Sequence, residues 1–260
     1  MDLYDELLDS LCLKLGDIVW LSSDIIKLSL IFKSKQCRFD GNYFIDCIQK
    51  KIGEEGTLLI PVFKWDLDTS VLYDVKKTKG STGALGNLAM KRSDFTRTKH
   101  PMHSFMVWGK DKEYLCNMEN YSNFGKDSPF EYCKQKNVTQ IMLGTDFVHA
   151  MTFIHYVEVM CHVPYRYEKV FSINVREENG SQILKEYKFF PKSNKVGSIE
   201  KFNRMGDLLL NKKIAKDTSF YGCKSYIVHL GESYPVIEDD IKKNQCRNLF
   251  DFKIDRSLIF

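Results

Sequence analysis

Several common function classes are excluded by what this 260-residue chain lacks. No apolar run approaches the roughly 20 residues needed to cross a bilayer. The start, Met1-Asp2-Leu3-Tyr4-Asp5-Glu6, is acidic where an export signal is basic, so none is expected. Eight cysteines are present, but none forms a Cys-x-x-Cys pair, which argues against a zinc ribbon. Without an export signal, reduced thiols and a cytoplasmic location are the expectation. The Lys-Ser/Thr ending of a phosphate-binding P-loop is missing, as is the zincin His-Glu-x-x-His pattern. Repeats and low-complexity segments are absent, and no interdomain linker is visible.

What is present fits one folded domain spanning 1–260. The 43% hydrophobic content supplies a core. Asp17 to Ser22 reads as a strand, Asp40 to Ile52 as a helix capped by Asp40 and stopped at Gly53, and Gly56 to Pro61 as a second buried strand. A strand–helix–strand unit of that length predicts an α/β fold with a mixed central sheet flanked by helices. Ser104–Trp108 and Thr139–Gly144 read as further strands. Beyond Tyr165 the character changes. Val170–Val175 and Ile183–Phe190 flank Glu177-Glu178-Asn179-Gly180, a hairpin signature, so 165–260 is expected to be a β-containing subregion. It continues with helices expected at Ser198–Leu210 and from Pro235, and a strand at Ser225–His229.

The chemistry gathers in three places. Thr152-Phe-Ile-His155-Tyr-Val-Glu158 puts an imidazole and a carboxylate on one helix face. Thr96 to Phe105 holds Arg97, Lys99, His100, His103 and Ser104 around Pro101, read as a polar binding loop. Gly80-Ser81-Thr82-Gly83 feeds a helix start and can offer N–H groups to an anion, although an ordinary capped helix start reads equally well. Asp146 follows the strand at Thr139, at the edge where ligands sit in open α/β sheets.

In the order and spacing of these motifs the chain resembles the aminoglycoside 3-N-acetyltransferase, or antibiotic N-acetyltransferase, family. The resemblance is carried by Glu55-Gly56-Thr57-Leu58-Leu59-Ile60-Pro61, Gly83-Ala84-Leu85-Gly86, Arg97-x-x-His100-Pro101-x-x-Ser104-Phe105, Phe124-Gly125-x-x-Ser128-Pro129, Thr152-x-x-His155-x-x-Glu158 and Val163-Pro164-Tyr165-Arg166. It implies an acyl-CoA co-substrate, an amine acceptor on a sugar and His155/Glu158 as the catalytic pair. It also implies that the donor lies near Ser81, Thr82 and Gly83. Ser22-Ser23-Asp24 stands where such proteins often carry His-x-Ser, and Met151 where they often carry Asn. Ser22 and Ser23 are therefore assigned to the donor site. Arg97, His100, His103, Ser104 and Asp146 are assigned to the acceptor.

In this reading a neutral His155 removes a proton from the acceptor amine while Glu158 fixes the tautomer. Backbone N–H groups of the small loops would hold the oxyanion. No metal is required. A metal hydrolase drawing on the ligand types of His100-x-x-His103, Asp146-x-x-His149 and His155-x-x-Glu158, a nucleophile at Cys161 or Cys223, and a non-catalytic CoA- or sugar-binding protein are the alternatives. The net charge of +4, with Arg97 and Lys99 beside the histidines, favours an anionic acceptor, a nucleotide-linked amino sugar of surface-glycan synthesis. An aminoglycoside is the second choice. Neither a nucleic-acid partner nor a membrane span is expected, and the sequence leaves the oligomeric state open.

Overall fold

A computed structural model describes residues 2–260. Its frame is a seven-stranded mixed sheet. In spatial order the strands are Ala215–Phe220, Cys223–His229, Thr139–Leu143, Ile18–Ser23, Thr57–Phe63, His103–Gly109 and Thr96–Arg97. Ile18–Ser23 lies at the centre and runs parallel to both neighbours, Thr57–Phe63 and Thr139–Leu143. The remaining pairings in this sheet are antiparallel. From the central strand the chain crosses first to one side and later to the other. The carboxyl ends at Ser23 and Leu143 therefore flank a topological switch point, where open α/β sheets place their ligands.

Each face of the sheet has its own core. On one, Phe44, Ile45, Ile48 and Ile52 of helix Gly41–Ile52 pack with Leu7, Phe32 and Leu85 against Val19, Leu21, Leu58 and Ile60. On the other, helix Phe153–Met160 lays Phe153, Ile154 and Val157 over Trp20, Leu59, Phe105 and Met142. The alternation of Trp20 and Leu21 between these cores is the period-2 pattern of a strand covered on both sides. Gly86, in the short helix Ala84–Ala89, allows that helix to lie on Thr57–Phe63: a Cβ there would run into the Pro61 carbonyl oxygen.

The C-terminal subregion contains the expected hairpin, Lys169–Arg176 with Gln182–Phe189, and Tyr73–Asp74 joins it as a third strand. Several elements differ from the sequence expectation. Ser198–Glu200 is a strand paired with Phe250–Phe252, and the helix begins at Phe202. The last long helix starts at Leu230 and carries Pro235 inside it. Helices Leu3–Ser10 and Ile25–Ser34 and the edge strand Ala215–Phe220 have no counterpart in the sequence reading. Among the described residues, no helix is long and apolar enough to cross a membrane.

Candidate active site

His155 stands in the first turn of helix Phe153–Met160 and Glu158 one turn later. The imidazole Nδ1 lies 2.6 Å from Glu158 Oε2, so an Nδ1–H donates to the carboxylate and leaves Nε2 with a lone pair. The Glu158 side chain is fully buried, whereas that of His155 is 22% exposed. A lone buried carboxylate would be costly, and this one is well partnered. The Tyr165 hydroxyl donates to Oε1 at 2.7 Å and Arg166 Nη2 to Oε2 at 2.8 Å. Burial alone would raise the Glu158 carboxyl, but Arg166 and then His155 outweigh it and hold it at about 2. Burial, followed by the Arg166 charge, lowers His155 below its ordinary 6.5, against the pull of Glu158. At neutral pH the ring is an unprotonated base beside an ionised orienting acid.

Aromatic rings surround this base. Phe202 stands 5.5 Å and Phe124 6.3 Å from the His155 ring, centre to centre. Phe124 in turn contacts His103 at 4.7 Å, and His103 meets the half-exposed Trp65 at 4.9 Å. His103 opens its strand directly opposite Phe63, at the carboxyl end of Thr57–Phe63. Cross-strand partners share a face, so His103 lies on the face that the His155 helix covers. Asn123 Nδ2 donates to its Nδ1 at 3.2 Å. Burial first, then its neighbours His100, His155 and the Arg166 cation, push His103 well below 6.5, so it is a neutral ring with an Nε2–H to offer.

Other residues of the expected binding loop are elsewhere. Successive strand residues point to opposite faces, so Ser104 is directed away from His103. Its hydroxyl donates to the Val62 carbonyl at 3.1 Å and accepts from Arg97 Nε at 2.8 Å. Arg97 is buried on that far face, where its remaining donors reach the carbonyls of Thr78 at 2.6 Å and of Val62 and Val75 at 3.2 Å. Its guanidinium is a structural clamp: four of its five N–H donors are spent on Ser104 and on backbone carbonyls. His100 is fully buried against Tyr187; its Nε2 donates to the Lys188 carbonyl at 3.3 Å and its Nδ1 accepts from Met102 N–H at 3.3 Å. Lys99 pairs with Glu119. Of the acceptor residues expected in this loop, only His103 reaches the site face. Asp146 caps helix Phe147–Ala150, and its carboxylate is taken up by His149 at 2.5 Å and Asn203 at 3.2 Å. It lines a cavity of about 520 Å³ with Asp24, Lys27, Gly144 and Lys224 at the switch point. Among the described residues, no three His, Cys, Asp or Glu side chains converge as metal ligands would.

The residues assigned to the donor do come together. Ser22 and Ser23 end the central strand, and a Cβ on Gly83 would lie 4.0 Å from the Ser23 carbonyl oxygen. The loop is laced to the neighbouring strand: Ser81 N–H donates to the Phe63 carbonyl at 2.7 Å and Phe63 N–H to Thr82 Oγ1 at 2.9 Å. Ser81 Oγ donates to Asp66. This groups the serine–threonine loops on the carboxyl edge shared with His103.

Three residues near the base had no place in the sequence reading of the site. Arg166, eleven positions from His155, closes on the pair through the turn after the helix. Lys192 and Glu200 form an ion pair within electrostatic reach of His155. The signal for Arg166 lay in the Val163-to-Arg166 motif itself; Lys192 and Glu200 had none.

The mixed α/β sheet thus carries an imidazole–carboxylate pair whose ring has the form able to accept a proton. The sequence model for aminoglycoside 3-N-acetyltransferase matches residues 34–239, and the chain belongs to that family of CoA-dependent N-acetyltransferases. Its fold is that of solved relatives. The aminoglycoside acetyltransferase AAC(3)-Xa superposes with a TM-score of 0.77 at 16% identity, covering 93% of this chain and 92% of its own. AAC-IIIb, solved as a binary complex with CoASH, gives 0.76 at 16% identity over 93% and 95%. The YokD protein from Bacillus subtilis gives 0.74 at 21% identity over 95% and 94%.

Proposed function

We propose that this enzyme transfers an acetyl group from acetyl-CoA to an amine of a cationic amino sugar of the aminoglycoside kind, with His155 as general base and Glu158 as its orienting acid. The observation that carries the reading is the 2.6 Å Nδ1–Oε2 contact on a fully buried carboxylate. That contact leaves Nε2 free to take the proton of the acceptor amine as it attacks the thioester carbonyl. Attack joins nitrogen to the acyl carbon, and collapse of the tetrahedral intermediate expels the CoA thiolate, which recovers the proton held on His155. Ser22, Ser23, Ser81, Thr82 and Gly83 are the residues proposed to border the donor.

Charge supports the choice of acceptor. A pyrophosphate-bearing substrate would need free cations, and Arg97, Lys99 and His100 do not provide them. Carboxylates flank the site as well, each paired with a lysine, Asp66 with Lys64 and Glu200 with Lys192. Asp66, next to Trp65, is held at about 2 by hydrogen bonds from Ser81 and then Lys64. Glu200, which burial would raise, is kept lower by Lys192. Relatives of this fold have been solved with sisomicin and with a gentamicin. The experiment is CoA thiol release from acetyl-CoA with sisomicin, gentamicin and nucleotide-linked amino sugars side by side. Turnover of the aminoglycosides is expected. Turnover of the nucleotide sugars alone would overturn the acceptor assignment while leaving the acetyl transfer itself.

A further inference from the structure

Three atoms at the base are mutually in contact. His155 Nδ1 is 2.6 Å from Glu158 Oε2, Arg166 Nη2 is 2.8 Å from the same oxygen, and Arg166 Nη2 is 2.8 Å from Nδ1. These contacts cannot all be hydrogen bonds at once. If Nδ1 carries the ring proton, it donates to Glu158 and Arg166 also donates to Oε2. If Nε2 carries it, Nδ1 accepts from Arg166 and the ring shows the acceptor amine no lone pair. We propose that Arg166 is a positioning residue of acetyl transfer: by bridging Glu158 and the imidazole it fixes the carboxylate against Nδ1 and opposes a second proton on the ring. The proposal rests on His155 being the base.

The guanidinium is also held at Nη1, although its buried Nε has no hydrogen-bond partner. Nη1 donates to the Phe190 carbonyl at 2.6 Å, and only 7% of the side chain is exposed. Tyr165 pins the other Glu158 oxygen, so the carboxylate cannot swing away from Arg166 and the ring. The charged and titratable groups facing His155 are few. Glu158 comes from its own helix, Arg166 from the following turn, His103 from the sheet, and Lys192 and Glu200 from the C-terminal subregion. Lys192 is neutralised by Glu200, and His103 is uncharged. Arg166 is therefore the cation set directly against the imidazole.

The sign follows. Glu158 favours the imidazolium and Arg166 disfavours it, so replacing Arg166 by a neutral residue raises the His155 pKa. The enzyme needs the unprotonated ring, so its activity is lost as pH falls through that value. In Arg166→Gln the acidic limb of kcat/KM should move up by about one pH unit, and the ratio of activity at pH 6 to that at pH 9 should fall about tenfold. Arg166→Lys keeps the charge and loses the fork, so its limb should stay near the wild-type position while kcat drops. A uniform loss at every pH in Arg166→Gln, with the limb unmoved, would assign Arg166 to packing alone and overturn the proposal. Nitrogen-15 NMR of the wild-type ring makes the test independent of how the variants fold. An Nδ1–H tautomer at pH 8 is expected, and an Nε2–H tautomer would overturn it. His155→Ala is measured in parallel: if it stays active, the base assignment fails, whereas if it is inactive and the Arg166→Gln limb is unmoved, only the Arg166 proposal fails.

Discussion

Acid should destabilise this protein well before its carboxylates protonate, and His100 gives the magnitude. The ring is fully buried, and burial lowers it from 6.5 to about 3, against the hydrogen bond to Lys188 that favours its charged form. In the unfolded chain the same ring titrates near 6.5. Below that value the unfolded state binds a proton that the folded state refuses, so stability is full above pH 6.5 and declines as pH falls towards about 3. One pH unit is worth about 1.4 kcal/mol, so at pH 5 His100 alone removes about 2 kcal/mol. His103, also buried and pushed well below 6.5, should add to the loss in the same window. The loss from His100 alone is already a sizeable part of a domain total of the order of 5–15 kcal/mol. Glu158, held at about 2, contributes stability that is present above the ordinary 4.5 and is lost only as pH falls from there towards 2, so it does not contaminate the pH 5–7 window. Urea unfolding at half-unit steps from pH 8 to 5 reads the effect. His100→Asn should be less stable at pH 8 and show a shallower decline. A wild-type free energy constant to within about 1 kcal/mol over this range, or an undiminished slope in His100→Asn, would refute the reasoning.

His155→Ala should lower kcat by at least about a hundredfold in protein shown by circular dichroism to be folded, while calorimetry finds CoA binding nearly intact. Cys161→Ser and Cys223→Ser should remain active, because burial raises both thiols, Cys161 to about 11, and mass spectrometry of enzyme mixed with acetyl-CoA alone should find no acyl adduct. Arg97→Ala should cost about 3 kcal/mol or more in chemical denaturation by stranding buried carbonyls, while a variant kept folded at low temperature keeps its KM for the acceptor.

The His155–Glu158 contact is legible in the sequence because the two residues are three apart on one helix, and helical spacing alone makes them neighbours. The central parallel unit was legible for a similar reason: Asp40, Phe44, Ile48, Ile52 and Gly53 state a capped amphipathic helix, and apolar runs flank it. The placement of Arg97 and His103 was not legible because residues 96–103 look like loop in the sequence, with a strand only from Ser104. In fact Thr96–Arg97 is a two-residue edge strand pairing with His103–Gly109, and a strand sends His103 and Ser104 to opposite faces. Edge strand Ala215–Phe220 escaped notice because its Lys216, Asp217 and Ser219 face solvent and break any apolar pattern. Arg166, Lys192 and Glu200 meet His155 only through the folding of the C-terminal subregion, which local periodicity does not encode.

The same distinction explains why net charge alone does not select the acceptor. The value of +4 counts every cation equally, yet a charge acts on a substrate only if it is near and unpaired, since surface fields fade within about 8 Å in physiological salt. Lys99 and Lys185 are engaged by Glu119 and Glu177, Lys192 by Glu200, and Arg97 by carbonyls on the far face of the sheet. The field at the base is instead set by one buried carboxylate and the guanidinium that compensates it. Burying Glu158 without Arg166 would leave a charge in an apolar core, where the carboxylate would take a proton and cease to orient the ring. Burying Arg166 without Glu158 would leave a cation that only repels the imidazolium. The pair is what keeps the carboxylate ionised and the ring neutral at the same pH, the condition that the proposed transfer of a proton from amine to ring requires.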